Sequence, residues 1–219
     1  MLEIGCAGGI DYIGKRYRAT GLDVSWESLR RAAKDYETRV LGSCMERLPF
    51  PDGSFDGILS SFLWEHIPPE RKPALLAECR RVLRPGGKLI FLYDVETQNP
   101  LIRAFRSKDS ARYQRVFLDA DGHLGYQTPE VNARIFDAAG FRLLQHLGFE
   151  RSPLVSPSTF DKLSRWDGAA QRLFRLGARL QSSRLFYPYL ALQRTFDASL
   201  GRMLPRSWAR IMVTVALAP

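Results

Sequence analysis

Cysteine is scarce in these 219 residues: Cys6, Cys44 and Cys79 stand alone, with no histidine or cysteine at metal-ligand spacing. That excludes both a zinc-finger pattern and a disulfide framework. Long apolar runs are missing as well. Nothing approaches the roughly 20 residues that span a bilayer, and the chain does not open on a charged segment followed by an apolar one. A reducing cytoplasm is therefore the expected setting. Internal repeats and low-complexity tracts are absent from the sequence. Acidic residues run short in one region only. Residues 1–150 hold 21 basic and 20 acidic side chains, whereas residues 151–219 hold 11 and 3. The net charge of +9 thus sits almost wholly in the last third. A charge so placed argues against a nucleic-acid footprint over the whole chain.

What is present is a hydrophobic content of 45%, enough for one globular domain with a sizeable core. The chain begins Leu2-Glu3-Ile4-Gly5-Cys6-Ala7-Gly8-Gly9, an apolar strand carrying an acid and then a turn of small residues. Glycines there let the main chain turn sharply and approach a ligand, and a helix start beyond them would aim free N–H groups at an anionic group. The dinucleotide fingerprint G-x-G-x-x-G falls on Gly5, Ala7 and Ile10, so two of its three glycines are missing. This disfavours a nicotinamide-dependent Rossmann oxidoreductase. Asp23, about 20 residues on, closes a short second strand where the ribose diol of a nucleoside cofactor could be held. It also directly precedes a helix expected from Trp26 to Tyr36, for which Ser25 is the natural cap.

Three further segments follow in order. The first is Leu48-Pro49-Phe50-Pro51-Asp52-Gly53-Ser54-Phe55-Asp56, and the second the apolar run Ile58 to Ile67. The third is Glu78 to Leu89, which contains Arg81-Val82-Leu83-Arg84-Pro85-Gly86-Gly87-Lys88-Leu89. Pro49, Pro51 and Gly53 break the chain before a strand, and Pro85-Gly86-Gly87 is expected to end a helix over 70–83 and lead into a strand over 88–93. Together with the glycine turn, these segments resemble the class I S-adenosylmethionine (SAM) dependent methyltransferases, in the branch acting mostly on small molecules. The resemblance runs from residue 2 to about 150.

That resemblance implies an enzyme with a Rossmann-like, doubly wound α/β fold: a mostly parallel seven-stranded sheet with an antiparallel last strand. It implies SAM as cofactor and a small-molecule methyl acceptor, with reaction at oxygen, nitrogen or carbon of a polar or lipid-linked metabolite. Glu3, Gly5 and Gly8 would line the methionine part of SAM, with Cys6 and Ala7 in the same turn. Asp23 would accept the ribose hydroxyls, Cys44 and Met45 would flank adenine, and Val24 and Ser60 complete the cofactor set. Ala7 replaces the family's central glycine, which is tolerable if its φ is negative. Cys44 replaces an acid that commonly meets the adenine amino group, so apolar packing would hold the base. These two departures keep open a methyltransferase-like binding module of weakened activity. A nucleic-acid amino methyltransferase would carry an Asn/Asp-Pro-Pro-aromatic run after the fourth strand, where this chain has Ser60-Ser61-Phe62-Leu63. Relatives also carry helices before the glycine turn, so the true start lies upstream or another segment replaces that cap.

Methyl transfer is an in-line displacement that needs a positioned nucleophile and, for some acceptors, a base. His66, after the fourth strand, and His123, in Asp121 to Glu130, are the candidate catalytic residues. A neutral imidazole suits proton removal near pH 7. His146 alternates within a strand and reads as structural. Tyr93 and Asp94, with Glu96, end the fifth strand and could orient a substrate.

Residues 1–150 are therefore expected to form the SAM-binding core, 151–206 a basic helical insertion, and 207–219 the last strand, paired with a strand over 141–149. Ser152-Pro153 and Ser156-Pro157 mark the boundary. Lys162 to Gln181 has helical periodicity, with Leu163, Trp166, Ala170, Leu173, Phe174, Gly177 and Leu180 on one side and Lys162, Arg165, Arg172, Arg175 and Arg179 on the other. Such a helix can lie on an anionic membrane, bind an acidic partner, or pack its apolar side on its own protein. So long an insertion near the carboxyl ends of the strands is expected to serve as a substrate lid.

Overall fold

The computed structural model describes residues 1–152, 155–166, 168 and 170–219. Pro153 of the expected boundary lies outside them. Seven strands form one sheet: β1 (Leu2–Ile4), β2 (Thr20–Asp23), β3 (Thr38–Leu41), β4 (Phe55–Ser61), β5 (Leu83–Asp94), β6 (Arg142–Phe149) and β7 (Ile211–Leu217). Their order is β3-β2-β1-β4-β5-β7-β6. The first five are parallel, and the last ones run antiparallel. Register aligns Val40, Leu22, Ile4, Ser60 and Phe91 in one row across the sheet. The next step along each strand places Gly5, Asp23 and Ser61 together at the carboxyl edge. β7 lies between β5 and β6, as the sequence pairing of 207–219 with 141–149 expects.

Nine helices are described: α1 (Asp11–Gly14), α2 (Trp26–Ala32), α3 (Lys72–Val82), α4 (Pro100–Lys108), α5 (Ser110–Tyr113), α6 (Pro129–Ala138), α7 (Pro157–Leu163), α8 (Gln171–Ala178) and α9 (Phe186–Ala198). The chain separates into two compact units. The first holds residues 1–94, 124–147 and 212–219. β1 is buried throughout, whereas β4 and the second half of β5 alternate buried with partly exposed residues. Leu2, Ile4, Ile58, Leu89 and Phe91 are buried in the sheet, and α3 buries Leu75, Leu76, Cys79 and Val82 at three- and four-residue spacing. Ser25 caps α2 by accepting the Ser28 N–H, as expected, but the helix ends at Ala32.

Pro85-Gly86-Gly87 lies inside β5, not ahead of it. Phe55 pairs with Leu83 and Gly57 with Lys88, so the two residues of β4 face a long bulge. Gly86 takes φ +72, a conformation that costs a residue with a side chain more than it costs glycine.

The second unit holds residues 95–123 and 148–211. Residues 95–123, assigned to the core from sequence, thus cluster with the insertion. Its core explains the grouping: Ile102, Tyr113 and Phe117 pack with Val155, Leu163, Trp166 and Phe174. The single helix expected over 162–181 is broken. α7 stops at Leu163, and α8 starts at Gln171 after Gly168, whose φ of +143 is closed to residues with a side chain. The apolar side also divides, because Leu163, Trp166 and Phe174 are buried while Leu173 is exposed.

Candidate functional site

The sheet reverses its winding between β1 and β4. From β1 the chain passes outward to β2 and β3, and then returns to the far side of β1 to lay down β4 and β5. Ligands of open α/β sheets bind in the crevice beyond the carboxyl ends of the strands at such a switch point. The turn after β1 occupies that place. Gly5 takes φ +70, and a Cβ on it would stand 3.1 Å from the Leu63 side chain. Ala7 has φ 46, contrary to the negative angle that would make its substitution for glycine harmless. Phe62, after β4, has φ 53. Among the described residues these are two of three non-glycine positions in the left-handed region, and they flank the switch point. Backbone held this way costs about 1–3 kcal/mol per residue and clusters at functional sites. The helix beyond the turn, α1, is a single turn of four residues.

Asp23 ties this turn to β2. Its Oδ2 accepts the Ala7 N–H at 2.9 Å, and its Oδ1 accepts the Ser25 N–H at 2.8 Å. An ionised carboxylate has about four lone-pair sites, so roughly two remain for hydroxyl donors. Gly42, after β3, donates its N–H to the Asp23 carbonyl at 3.0 Å, which brings the 42–45 loop beside it. Val24 and Met45 are exposed there, and Cys44 is half-buried with its thiol pKa raised by burial. An acceptor for a diol thus stands next to apolar side chains able to cover a planar base.

Other residues of the expected cofactor set face inward. Glu3 is buried, its carboxyl taken by the Tyr36 hydroxyl, and that hydroxyl accepts the Ile10 N–H at 3.0 Å. Glu3 therefore braces the glycine turn from beneath. Burial raises its pKa to about 7. The Cys6 side chain sits in a small core with Ala19, Leu29 and Ala32, so only its backbone belongs to the turn. Ser60 is buried and donates its hydroxyl to the Ile4 carbonyl at 3.1 Å. Gly8 remains partly open beside Arg31.

On the acceptor side, Tyr93 departs from expectation. It is fully buried, and its hydroxyl lies 2.8 Å from that of Thr214. His146 completes this chain: Nε2 faces the Pro129 carbonyl at 3.1 Å and Nδ1 faces Thr214 at 3.0 Å. The carbonyl requires a donor, so Nε2 carries the proton; with the imidazole neutral, Thr214 donates to Nδ1 and Tyr93 to Thr214. His146 thereby ties β6 to Thr214 of β7 and to the start of α6. Asp94 remains partly exposed at the end of β5. His66 lies in a 3-10 turn over Trp64–His66 in the first unit, and His123 follows Gly122 in the second, with Nε2 3.9 Å from Asp121.

Residues 2–91 match the family model described as a methyltransferase domain. A ubiquinone/menaquinone biosynthesis C-methyltransferase of Cupriavidus necator is 33% identical over 109 residues, covering 48% of this chain and 44% of that one. A fatty-acid O-methyltransferase of Mycolicibacterium smegmatis is 36% identical over 102 residues, covering 42% and 35%. The chain spans less than half the length of either relative. Its fold is also that of a solved SAM-dependent methyltransferase from Archaeoglobus fulgidus, with a TM-score of 0.60 at 19% identity, covering 99% of this chain and 84% of that one.

The first unit also contains a buried charged network that the motifs did not show. Lys72, at the start of α3, is fully buried. Its ammonium donates to the Gly125 carbonyl at 2.6 Å, Gln127 Oε1 at 2.9 Å and Asn132 Oδ1 at 3.3 Å, and lies 4.6 Å from the Trp64 ring centre. Trp64 donates its indole N–H to Asn132 at 2.7 Å. Glu65, also buried, accepts the Asp94 N–H on Oε1. Burial brings both groups to about 7, raising the Glu65 carboxyl and lowering the Lys72 ammonium from their ordinary values. One signal was available in the sequence: Lys72 falls on the apolar stripe of α3 with Leu75, Leu76 and Cys79. The Glu65 carboxylate, between the ends of β4 and β5, carries no comparable mark.

Proposed function

We propose that this chain is a SAM-dependent methyltransferase acting on a small acceptor that is apolar or lipid-linked. The observation that carries it is Asp23 beside the left-handed glycine turn at the β1/β4 switch point. Relatives named for a quinone and a fatty acid support an acceptor with a large apolar part. SAM would supply an electrophilic methyl on a sulfonium. The remaining work falls to the chain: the Gly5–Gly9 backbone and Asp23 fix the cofactor, Val24 and Met45 cover its base, and positioning brings the nucleophile in line. His123 and His66 are the proposed proton acceptors, and Asp94 a proposed substrate contact.

No helix among the described residues is long and apolar enough to cross a membrane. A cytoplasmic enzyme with peripheral contact to an anionic membrane through part of 162–181 belongs to the same reading.

Thermal unfolding with candidate cofactors tests the reading. SAM or S-adenosylhomocysteine at about 100 times Kd stabilises by about 2.7 kcal/mol, roughly 5–10 °C for a chain of this size. NAD is expected to produce no shift. A shift with NAD alone overturns the proposal.

A further inference from the structure

The second unit carries a surface that folding leaves without an explanation. α8 buries Phe174 and turns Leu173 (66% exposed) and Leu176 (62% exposed) outward. At 100° per residue these two leucines share an arc of about 60°, and Arg172, Arg175 and Arg179 occupy the adjoining arc of similar width. All three arginines are exposed. Exposed side chains of both kinds recur beyond α8. Tyr187 and Met203 are 78% and 84% exposed, and Arg184, Arg194 and Arg202 are exposed as well.

Between residues 171 and 203 the sequence has six arginines and a single acid, Asp197. That acid is committed elsewhere, because its two oxygens accept the backbone N–H groups of Glu150 and Arg151. Among the described residues, then, no carboxylate neutralises the six guanidinium groups. Large apolar side chains set beside uncompensated arginines are what a helix lying in a lipid headgroup layer presents, with leucines in the acyl boundary and long cationic stems reaching back to phosphates.

We propose that residues 171–203 form a docking face for an anionic lipid bilayer. The inference refines the peripheral contact proposed above for part of 162–181 and does not depend on the transfer reaction. The apolar residues of its first part, Leu163 and Trp166, are consumed by the core of the unit, and the exposed ones begin at Leu173. Charge selects the partner's sign. The leucines select a bilayer over RNA or an acidic peptide, since aliphatic side chains gain little against a phosphate backbone or a carboxylate surface.

Co-sedimentation of the whole chain with vesicles tests this. Vesicles of phosphatidylcholine and phosphatidylglycerol in equal parts are expected to carry the protein down at low salt, and phosphatidylcholine alone is not. High salt releases it, because surface charge is screened within a Debye length. Replacing Arg172, Arg175 and Arg179 by Gln weakens binding about 100-fold, from about tenfold or less per arginine near an anionic surface. Leu173→Ser with Leu176→Ser leaves the charge unchanged and is expected to cost about tenfold or more. Both variants keep the wild-type melting temperature, since the altered side chains are exposed. Absence of sedimentation at low salt overturns the proposal. So does a leucine variant that binds as the wild type does, because the arginines would then be a general polyanion surface for RNA or acidic protein.

Discussion

Trp166→Ala is expected to destabilise the second unit by about 3–5 kcal/mol, the range for truncating a large buried aromatic. Trp166 packs edge-on against Phe105 at 5.3 Å between ring centres and lies 6.0 Å from Phe117, in the cluster that joins 95–123 to the insertion. Its indole nitrogen is buried with no hydrogen-bond partner among the described residues. Trp166→Phe keeps most of the apolar contact and removes that unpaired donor, so it should cost far less, below about 1.5 kcal/mol. Urea unfolding of the two variants, followed by circular dichroism, separates the effects. A loss below about 1 kcal/mol for the alanine variant would show that this part of the insertion is not held by its own core.

Asp23→Ala is expected to weaken SAM binding by about 1.5–3 kcal/mol, or roughly ten- to a hundredfold, as for hydrogen bonds to a charged group. Two losses act together in this variant. The diol loses its acceptor, and the Ala7 N–H loses the carboxylate that holds the turn at a positive φ. Calorimetric titration with SAM and a melting curve of the free protein read the two separately. A lower melting temperature with unchanged SAM affinity would leave Asp23 a purely structural role.

Much of this was legible because backbone requirements write themselves into residue types. Gly5, Gly9 and Gly53 mark positive φ angles, and an acid closing a short strand marks the second carboxyl edge. The strand order follows from the segments around 48–56 and 78–89. Side-chain direction was less legible. Glu3, Cys6, Ser60 and Tyr93 stand where the motif places them, yet each is buried, because spacing along a strand does not say which face its neighbours cover. The broken helix over 162–181 shows a second limit. Apolar spacing survives an interruption, so periodicity alone did not show that the chain turns at Gly168. Lys72 shows a third, since a lysine on an apolar stripe resembles a solvated residue until its three acceptors, far along the chain, are in place.

The central claim is that the chain transfers a methyl group, and transfer from methyl-labelled SAM tests it directly. The protein is incubated with labelled SAM and a cell extract, which is then partitioned between organic solvent and water. The expected result is enzyme-dependent label in the organic fraction, with S-adenosylhomocysteine formed in equal amount and both reduced about ten- to a hundredfold by Asp23→Ala at SAM below its Kd. Binding of SAM with no label transferred to either fraction would contradict the claim and leave a methyltransferase-like binding module.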